Sequence, residues 1–324
     1  MVFSNIIGQP KAVKLLSRAM TTDRLAHAYL FSGPDGVGKT TTAMTLAAEL
    51  FCEQTERSGP CGHCGGCVKF SSGNHPDFLT IRAQGAAIKI QQIRELKKKL
   101  SFSPFESGLR VVLMEDIQTM RREAGNSLLK ILEEPPPDNL LLLIASDSEP
   151  VLPTIVSRCQ VIPFLPLTID QSSVVVGSLY PELSGEEARS LSVLSGGCPG
   201  QVQARNNEEV LRLRNECIQA VVEPGNDRAK AVELGLDLAG RMADLKEGLE
   251  TLFDLLALFF KESMVVQLGG TENPETVSLA APRERWNLQQ LSDKILAVEA
   301  ARRQLARNGN KGLVCEVLML DLCK

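Results

Sequence analysis

Aromatic side chains are scarce in this chain of 324 residues, which contains one Trp and two Tyr. So few large rings leave little material for a platform on which nucleic-acid bases stack. Long apolar runs are also lacking, because no wholly apolar stretch is longer than that of Leu140–Ala145, which is far shorter than the roughly 20 residues of a membrane-spanning helix. The N-terminus, MVFSNIIGQPK, lacks the charged-then-apolar layout of an export signal, so we expect a cytoplasmic protein.

An excess of positive charge is missing as well. The formal net charge of −4 argues against a chain that wraps nucleic acid along its whole length, so any contact with DNA is expected to be local or shared with partners. The hydrophobic content of 44% is enough for proper cores, and the length suggests two or three domains. Nine cysteines without an export signal are expected to be reduced thiols or metal ligands.

The first half of the chain alternates strand-like and helix-like segments, which is the pattern of an α/β domain. After Pro166 short helical stretches follow, and strand signals are absent from about residue 206 onward. The polar stretch 269–284 is predicted to be a loop between two leucine-rich helical faces. The predicted strands are 28–32, 78–81, 110–114, 140–145 and a last one near 159–164, and the predicted helices of the first half are 10–20, 40–51, 90–100 and 124–133.

Residues 33–40, GPDGVGKT, match the phosphate-loop pattern G-x-x-x-x-G-K-[ST] without a gap. The glycines let backbone N–H groups converge on phosphate oxygens, Lys39 supplies a point charge for the β- and γ-phosphates, and the Thr40 hydroxyl can hold Mg²⁺. The alternative is a glycine turn with an incidental lysine. The strand before the loop and the helix after it favour an ATP and Mg²⁺ site. Its predicted residues are Gly33, Gly36, Gly38, Lys39, Thr40 and Thr41.

Hydrolysis needs an acid that holds Mg²⁺ and, in many ATPases, a Glu that orients the attacking water. The candidate strand is RVVLMED, so the pair is Glu115–Asp116, the reverse of the usual Asp–Glu order. Glu115 is one methylene longer than the usual metal-binding acid, and Asp116 is one methylene shorter where reach to the water decides the rate. A solvated acidic turn is the alternative. The sequence therefore predicts ATP binding and makes hydrolysis at this site doubtful.

Cys52, Cys61, Cys64 and Cys67 form the pattern C-x8-C-x2-C-x2-C, with glycines inside CGHCGGC. Close x2 spacing lets neighbouring thiolates converge on one ion, and four thiolates with no open position predict a structural Zn²⁺ site. His63 could compete as a ligand, and disulfides or idle thiols are the alternative. The other five cysteines lack this spacing and are predicted to be packing residues.

Two further polar residues follow the last long apolar strand. Ser146, at the strand end, is placed to touch a γ-phosphate or its water. Arg158 follows on a short segment after Pro153, and from spacing alone a lone loop arginine is most simply a solvated surface residue.

Together these residues resemble the clamp-loader subunits of bacterial DNA polymerase III, which are members of the AAA+ ATPase group. Within that family the chain is most similar to the delta-prime type, because HPDF follows the cysteines and the chain stops after one helical domain. The resemblance spans nearly the whole chain. It rests on IIGQ (6–9), HAYLFSGPDGVGKT (27–40), CGHCGGC (61–67), NHPDF (74–78), NSLLKILEEPP (126–136), SRC (157–159) and NGNKGLVCEVLML (308–320).

The resemblance implies an α/β RecA-like P-loop core with a parallel sheet over residues 1–166, carrying a zinc-binding insert at about 52–67. It further implies a small helical lid over 167–207 and an all-helical collar over 208–324. As partners it implies gamma/tau and delta subunits in a hetero-oligomeric ring, the sliding β clamp, and primed DNA through the complex, with no membrane.

The resemblance also assigns roles to single residues. Arg158 would be an arginine finger that reaches the ATP site of a neighbouring gamma/tau subunit, and Ser146 takes the sensor-1 position. The segment 196–202 lacks the sensor-2 arginine, since Gly200 or Gln201 stands there. We therefore expect a stator that binds ATP and aids its neighbour, as part of the polymerase holoenzyme and not as the polymerase. The alternatives are a gamma-type motor that hydrolyses ATP itself and a zinc-bearing adaptor with a vestigial nucleotide site.

Overall fold

A computed structural model of the chain describes residues 3–54, 59–146, 151–202, 208–222, 228–245, 248–269, 286–307 and 309–323. The chain divides into two compact units, Met1–Gln171 and Ser172–Lys324. The predicted loop 269–284 lies outside the described residues apart from Gly269. Within the described part of the chain, no helix combines the length and the apolar character needed to cross a bilayer.

The first unit is built on a five-stranded parallel sheet with the order β2-β3-β4-β1-β5. All five predicted strands are confirmed, with small shifts at the ends of β4 and β5. The central strands are continuous apolar runs because a parallel sheet with helices on its faces buries both sides of each strand. The strands are β1 (Ala28–Ser32), β2 (Phe78–Ile81), β3 (Arg110–Met114), β4 (Asn139–Ala145) and β5 (Gln160–Pro163).

In the described residues, six α-helices precede or connect the strands of this sheet. Pro10 begins the first of them, a position where its missing N–H leaves no bond unmade, and Pro135–Pro137 follow the end of the fifth. Side chains of the fourth and fifth pack on one face of the sheet in a continuous core. The helices are α1 (Pro10–Thr21), α2 (Lys39–Leu50), α3 (Gly65–Ser71), α4 (Ile90–Leu100), α5 (Arg122–Glu133) and α6 (Pro153–Val156).

The connections place the candidate site at one edge of the sheet. Strand β1 lies between β4 and β5, and the chain leaves it for β2 on the far side of β3 and β4. Because all strands are parallel, their carboxyl ends meet at one edge, and ligands of such sheets bind where the strand order reverses. The loop after β1 lies at this point.

Within its described residues, the second unit contains helices joined by turns and no strand. Its largest core joins side chains from all five of the longer helices, including Leu252, Phe253 and Phe260. Asn287 and Gln290 reciprocally cap the start of the helix that follows Asn287, as a capping box does. Helix α7 (Ile169–Leu179) spans the residue boundary between the units. The others are α8 (Gly185–Leu194), α9 (Glu208–Val222), α10 (Arg228–Ala243), α11 (Leu249–Gln267), α12 (Leu288–Ala306) and α13 (Lys311–Leu322).

The helix that Asn287 caps is Leu288–Ala306. A separate small cluster of Val176, Ala188, Leu191 and Val202 holds the beginning of this unit together. The segment 196–202, where the sensor-2 arginine is missing from the sequence, contains a single 3₁₀ turn at Pro199–Gln201. The predicted fold class, an α/β core with a parallel sheet followed by helices, is confirmed, while the division of the helical part into a lid and a collar stays a prediction.

Candidate functional site

The loop between β1 and α2 has the backbone shape that phosphate binding requires. Gly38 has a φ of 98°, in the left-handed region that favours glycine, and α2 begins directly after it. A Cβ atom on Gly33 would lie 2.1 Å from the carbonyl oxygen of Phe164, so only glycine fits there. The first N–H groups of α2 lack partners within the helix and form a natural anion site. The residues therefore fit a nucleotide, and the exposed Thr40 would hold its Mg²⁺.

Lys39 is buried, with 5% of its surface exposed, at the first position of α2. Its Nζ donates to the carbonyl oxygens of Gly33 and Pro34, at 2.5 and 2.6 Å. It also donates to Oδ1 of Asp35 at 3.2 Å. The ammonium group is thus held over the loop by the loop's own oxygen atoms, where a phosphate oxygen would approach it.

The end of β4 contacts the loop through Ser146. Its Oγ donates to Oδ1 of Asp35 at 2.7 Å, across 111 residues of sequence. Gln118, in the 3₁₀ turn Ile117–Thr119 after β3, donates from Nε2 to Ser146 Oγ at 3.2 Å. The predicted sensor position therefore lies beside the phosphate loop, and Gln118 and Asp35 are site residues that the sequence did not reveal.

The two acids after β3 have different surroundings. Glu115 pairs with Arg82, which follows β2, with 2.5 Å between its Oε2 and Arg82 Nε. Asp116 adopts a left-handed conformation, with φ of 53°, and its Oδ1 lies 3.4 Å from Gln118 Nε2. Glu115, the acid predicted to hold Mg²⁺, is thus engaged in an ion pair, whereas Asp116 belongs to the group of residues around Ser146.

The four predicted cysteines form one cluster. The sulfur atoms of Cys52, Cys61, Cys64 and Cys67 all lie within 4.8 Å of one another. Tetrahedral zinc with Zn–S bonds of about 2.3 Å places ligand sulfurs about 3.8 Å apart, and Cys61 Sγ lies 3.9 Å from Cys67 Sγ. The backbone N–H of Cys64 donates to Cys61 Sγ at 3.4 Å, as in a tight knuckle. These residues fit a structural Zn²⁺ ion.

His63 lies beside the cluster and makes other contacts. Its Nδ1 is 2.9 Å from the carbonyl oxygen of Cys61, and its Nε2 is 3.4 Å from Gln54 Nε2. Both ring nitrogens are therefore engaged outside the sulfur cluster. Hydrogen bonds from the backbone at Glu53 and Cys67 lower the pKa of the Cys64 thiol to about 6, which favours the thiolate that binds metal.

The glycines of CGGC have a packing role that spacing alone does not show. A Cβ on Gly66 would lie 2.0 Å from the carbonyl oxygen of Phe51, at the end of α2. The Gly66 N–H also donates to Glu53 Oε1 at 2.9 Å. The cysteine cluster is thus joined to the end of α2 by a direct contact between the backbones of Gly66 and Phe51. Outside the cluster, burial raises the pKa of the Cys159 and Cys217 thiols to about 12, as expected for packing residues.

Arg158 lies in the turn after α6 and contacts α5. Its Nη2 is 2.7 Å from Oε1 of Glu133, and its Nη1 donates to the carbonyl oxygen of Thr154 at 3.0 Å. About a third of its side chain, 35%, is exposed. Within the described residues, the Arg158 side chain bonds to α5, to α6 and to the turn after α6, and not to the phosphate loop.

A buried charge network next to the sheet was not predicted. Asp77, in the HPDF sequence before β2, is fully buried and accepts hydrogen bonds from the backbone of Phe105, Glu106 and Ser107. Arg110, also buried, lies 3.8 Å away. Burial alone would raise the pKa of Asp77, but the hydrogen bonds it accepts outweigh it and leave that pKa below its usual value. The sequence signal that could have revealed this network is the presence of Asp77 and Arg110, two opposite charges, at the starts of two apolar strands.

Several known proteins that are similar to this chain are DNA polymerase III subunits. The family model described as "DNA polymerase III, delta subunit" matches residues 8–168. DNA polymerase III subunit delta' of Bacillus subtilis (strain 168) is 31% identical over 318 residues, which is 97% of this chain and 96% of that protein. The likeness to this relative therefore extends over both units.

Two further proteins show a similar extent of alignment along this chain. DNA polymerase III subunit tau of Escherichia coli (strain K12) is 32% identical over 326 residues, covering 99% of this chain and 47% of tau. The chain therefore spans about half the length of that tau subunit. Among solved structures, a DNA polymerase III gamma-subunit-related protein of Thermotoga maritima aligns with 97% of this chain and 98% of its own, at 18% identity and a TM-score of 0.44.

Proposed function

The chain belongs to the delta-prime subunits of DNA polymerase III, and from that membership we propose that it is a clamp-loader stator that binds ATP and donates Arg158 to a neighbouring ATPase subunit. In this role it acts in the bacterial cytoplasm with gamma/tau and delta subunits. Together they place the sliding β clamp on primed DNA. The chain itself contributes structure and one catalytic guanidinium.

The observation that carries this proposal is the position of Arg158. Its guanidinium is held by Glu133 and the carbonyl oxygen of Thr154, and it is partly exposed. A charge supplied in trans must be presented at the surface and held in one orientation before the partner arrives, and an arginine finger is worth roughly 10³–10⁵ in rate at the site it enters. Both requirements are met by these contacts.

The chain's own phosphate loop supports binding more than turnover. The close approach at Gly33 and the start of α2 at Lys39 suit phosphate groups. Glu115, however, is bound by Arg82, and Asp116 carries the shorter side chain where the attacking water must be oriented. When bound, ATP and Mg²⁺ would contribute mainly to the stability of the core, and Zn²⁺ would stabilise the cysteine insert.

The test compares Arg158→Ala with Arg94→Ala, which removes an exposed arginine from α4. Arg158→Ala should leave ATP affinity of the isolated chain unchanged, as measured by calorimetry. In a complex reconstituted with gamma/tau and delta subunits, it should lower ATP turnover and clamp loading, while the Arg94→Ala complex behaves as the wild type. Turnover equal to wild type in the Arg158→Ala complex would refute the donated guanidinium.

A gamma-type motor is the second candidate, favoured by the complete phosphate loop and by the likeness to a tau subunit over 99% of this chain. A motor would hydrolyse ATP as a purified chain, lose that activity with Lys39→Ala and keep it with Arg158→Ala. Binding without appreciable turnover supports the stator. A chain without any ATP affinity would instead be a zinc-bearing adaptor.

A further inference from the structure

Asp35 lies inside the phosphate loop at a position that the G-x-x-x-x-G-K-[ST] pattern leaves open. Its Oδ1 contacts two groups at once. It accepts a hydrogen bond from Ser146 Oγ at 2.7 Å and lies 3.2 Å from Lys39 Nζ. A carboxylate oxygen thus lies within hydrogen-bonding distance of an ammonium group at the start of α2 and of a hydroxyl group just after β4.

These two partners, Lys39 and Ser146, are the groups expected to contact the terminal phosphate of a bound nucleotide. The loop lysine reaches the β- and γ-phosphates, so its ammonium is the cation that a triphosphate needs. Ser146 directly follows β4, the neighbour of β1 in the sheet, and its hydroxyl contacts the loop at Asp35. A carboxylate oxygen at this point has the charge and the hydrogen-bonding of a phosphate oxygen.

We propose that Asp35 sets the nucleotide preference of this site by competing with the terminal phosphate for Lys39 and Ser146, so that ATP binds more weakly relative to ADP than it would without this carboxylate. The inference rests on the proposed nucleotide site. Unlike the residues of the pattern, Asp35 would act against binding. A triphosphate must displace the carboxylate from both partners, whereas a diphosphate leaves the contact with Ser146 in place.

The expected change in ATP affinity depends on how exposed the Asp35 side chain is to water. The Asp35 side chain is 60% exposed, so water screens its repulsion of a phosphate. Two like charges about 4 Å apart in such a setting change an equilibrium by roughly five- to tenfold. The expected change is therefore moderate, and it is specific to the nucleotide with the extra phosphate.

The experiment measures ATP and ADP binding to the full chain by calorimetry, in Mg²⁺ and in EDTA. Asp35→Asn keeps the shape of the side chain, and Asp35→Ala removes it. Glu95→Gln, on the exposed side of α4, is the matched control for loss of one carboxylate. Both Asp35 variants should bind ATP about five- to tenfold more tightly and ADP less than twofold more tightly, with unchanged midpoints of thermal unfolding. Glu95→Gln should match the wild type.

Four results would overturn the inference. Unchanged ATP affinity would show that the carboxylate does not compete, and an equal gain for ATP and ADP would show only a general charge effect. Weaker binding confined to Mg²⁺ would mean that Asp35 helps to hold the metal. Absence of binding in the wild type and in both variants would reject the nucleotide site itself together with the inference, whereas binding gained only by the variants supports the inference.

Discussion

Both carboxylate oxygens of Glu115 are bound by the guanidinium of Arg82, at 2.5 Å from Nε and 3.2 Å from Nη2. Arg82 follows β2 and Glu115 follows β3, so the pair joins the carboxyl ends of two adjacent strands. The longer acid at the position expected to hold Mg²⁺ thus has a fixed partner of opposite charge. Any metal ion at this position has to compete with an arginine.

Arg82→Gln should therefore lower the Mg²⁺ concentration that ATP binding requires. An ion pair whose arginine is 68% exposed is worth up to about 1 kcal/mol, or roughly a fivefold change in an equilibrium. The Mg²⁺ concentration that half-saturates ATP binding should fall by up to about that factor, as measured by calorimetric titration at fixed nucleotide. Arg94→Ala is the control, and an unchanged Mg²⁺ requirement in Arg82→Gln would show that Glu115 takes no part in metal binding.

Removal of zinc should destabilise the first unit. Four sulfur atoms within 4.8 Å of one another can bind one ion, and the free energy of that binding is also folding free energy. The purified chain should contain one zinc ion per molecule, and a strong chelator should lower its melting temperature. Cys67→Ser should reproduce that loss, while Cys159→Ser, outside the cluster, should keep the zinc content measured by mass spectrometry. Melting that is insensitive to the chelator would contradict a structural site.

Gly66→Ala should destabilise the fold by several kcal/mol, because the new methyl group would overlap with the carbonyl oxygen of Phe51 and the two backbones would have to separate. Gly177→Ala is the matched control, since α7 leaves open space at that position and alanine is the better helix former. It should be neutral or stabilising by up to about 1 kcal/mol. Urea denaturation of the full chain measures both, and equal stabilities would exclude the predicted overlap.

Asp77→Asn should cost about 2–4 kcal/mol, because the buried Arg110 loses its counter-charge and three backbone N–H groups lose a charged acceptor. The folded state lowers the pKa of Asp77, so ionised Asp77 contributes stability above its unfolded pKa, and this contribution is lost as the pH falls through the folded pKa. The stability difference between wild type and variant should be constant near neutral pH and shrink below about pH 4. A difference that does not change with pH would exclude this titration.

Much of the first unit could be predicted from local sequence. The run NLLLLIA can only be a strand buried on both faces, and its bounds were missed by a single residue, Asn139. Helix starts were less accurate: α2 begins at Lys39 and α5 at Arg122, each before the predicted residue, because the first turn of a helix lacks a periodic apolar pattern.

The site was predictable only where spacing is local. The predicted phosphate-loop residues fall within 9 consecutive residues (33–41) and the four cysteines within 16 (52–67), so the local pattern already indicates the geometry. Arg82 and Glu115 are 33 residues apart, and Asp35 and Ser146 are 111 apart. These contacts depend on which strands become neighbours in the sheet, and that information is not contained in any short segment.

Gln9, a buried residue of the IIGQ sequence, binds two parts of the first unit at the same time. Its Nε2 donates to the carbonyl oxygens of Val37, in the phosphate loop, and Leu165, just after β5. The amide of Leu165 in turn donates to Gln9 Oε1. A shift of the Val37 carbonyl would therefore strain the hydrogen bonds between Gln9 and Leu165, where the chain leaves the sheet. The side-chain amide of Gln9 thus mechanically couples the phosphate loop to the segment that follows β5.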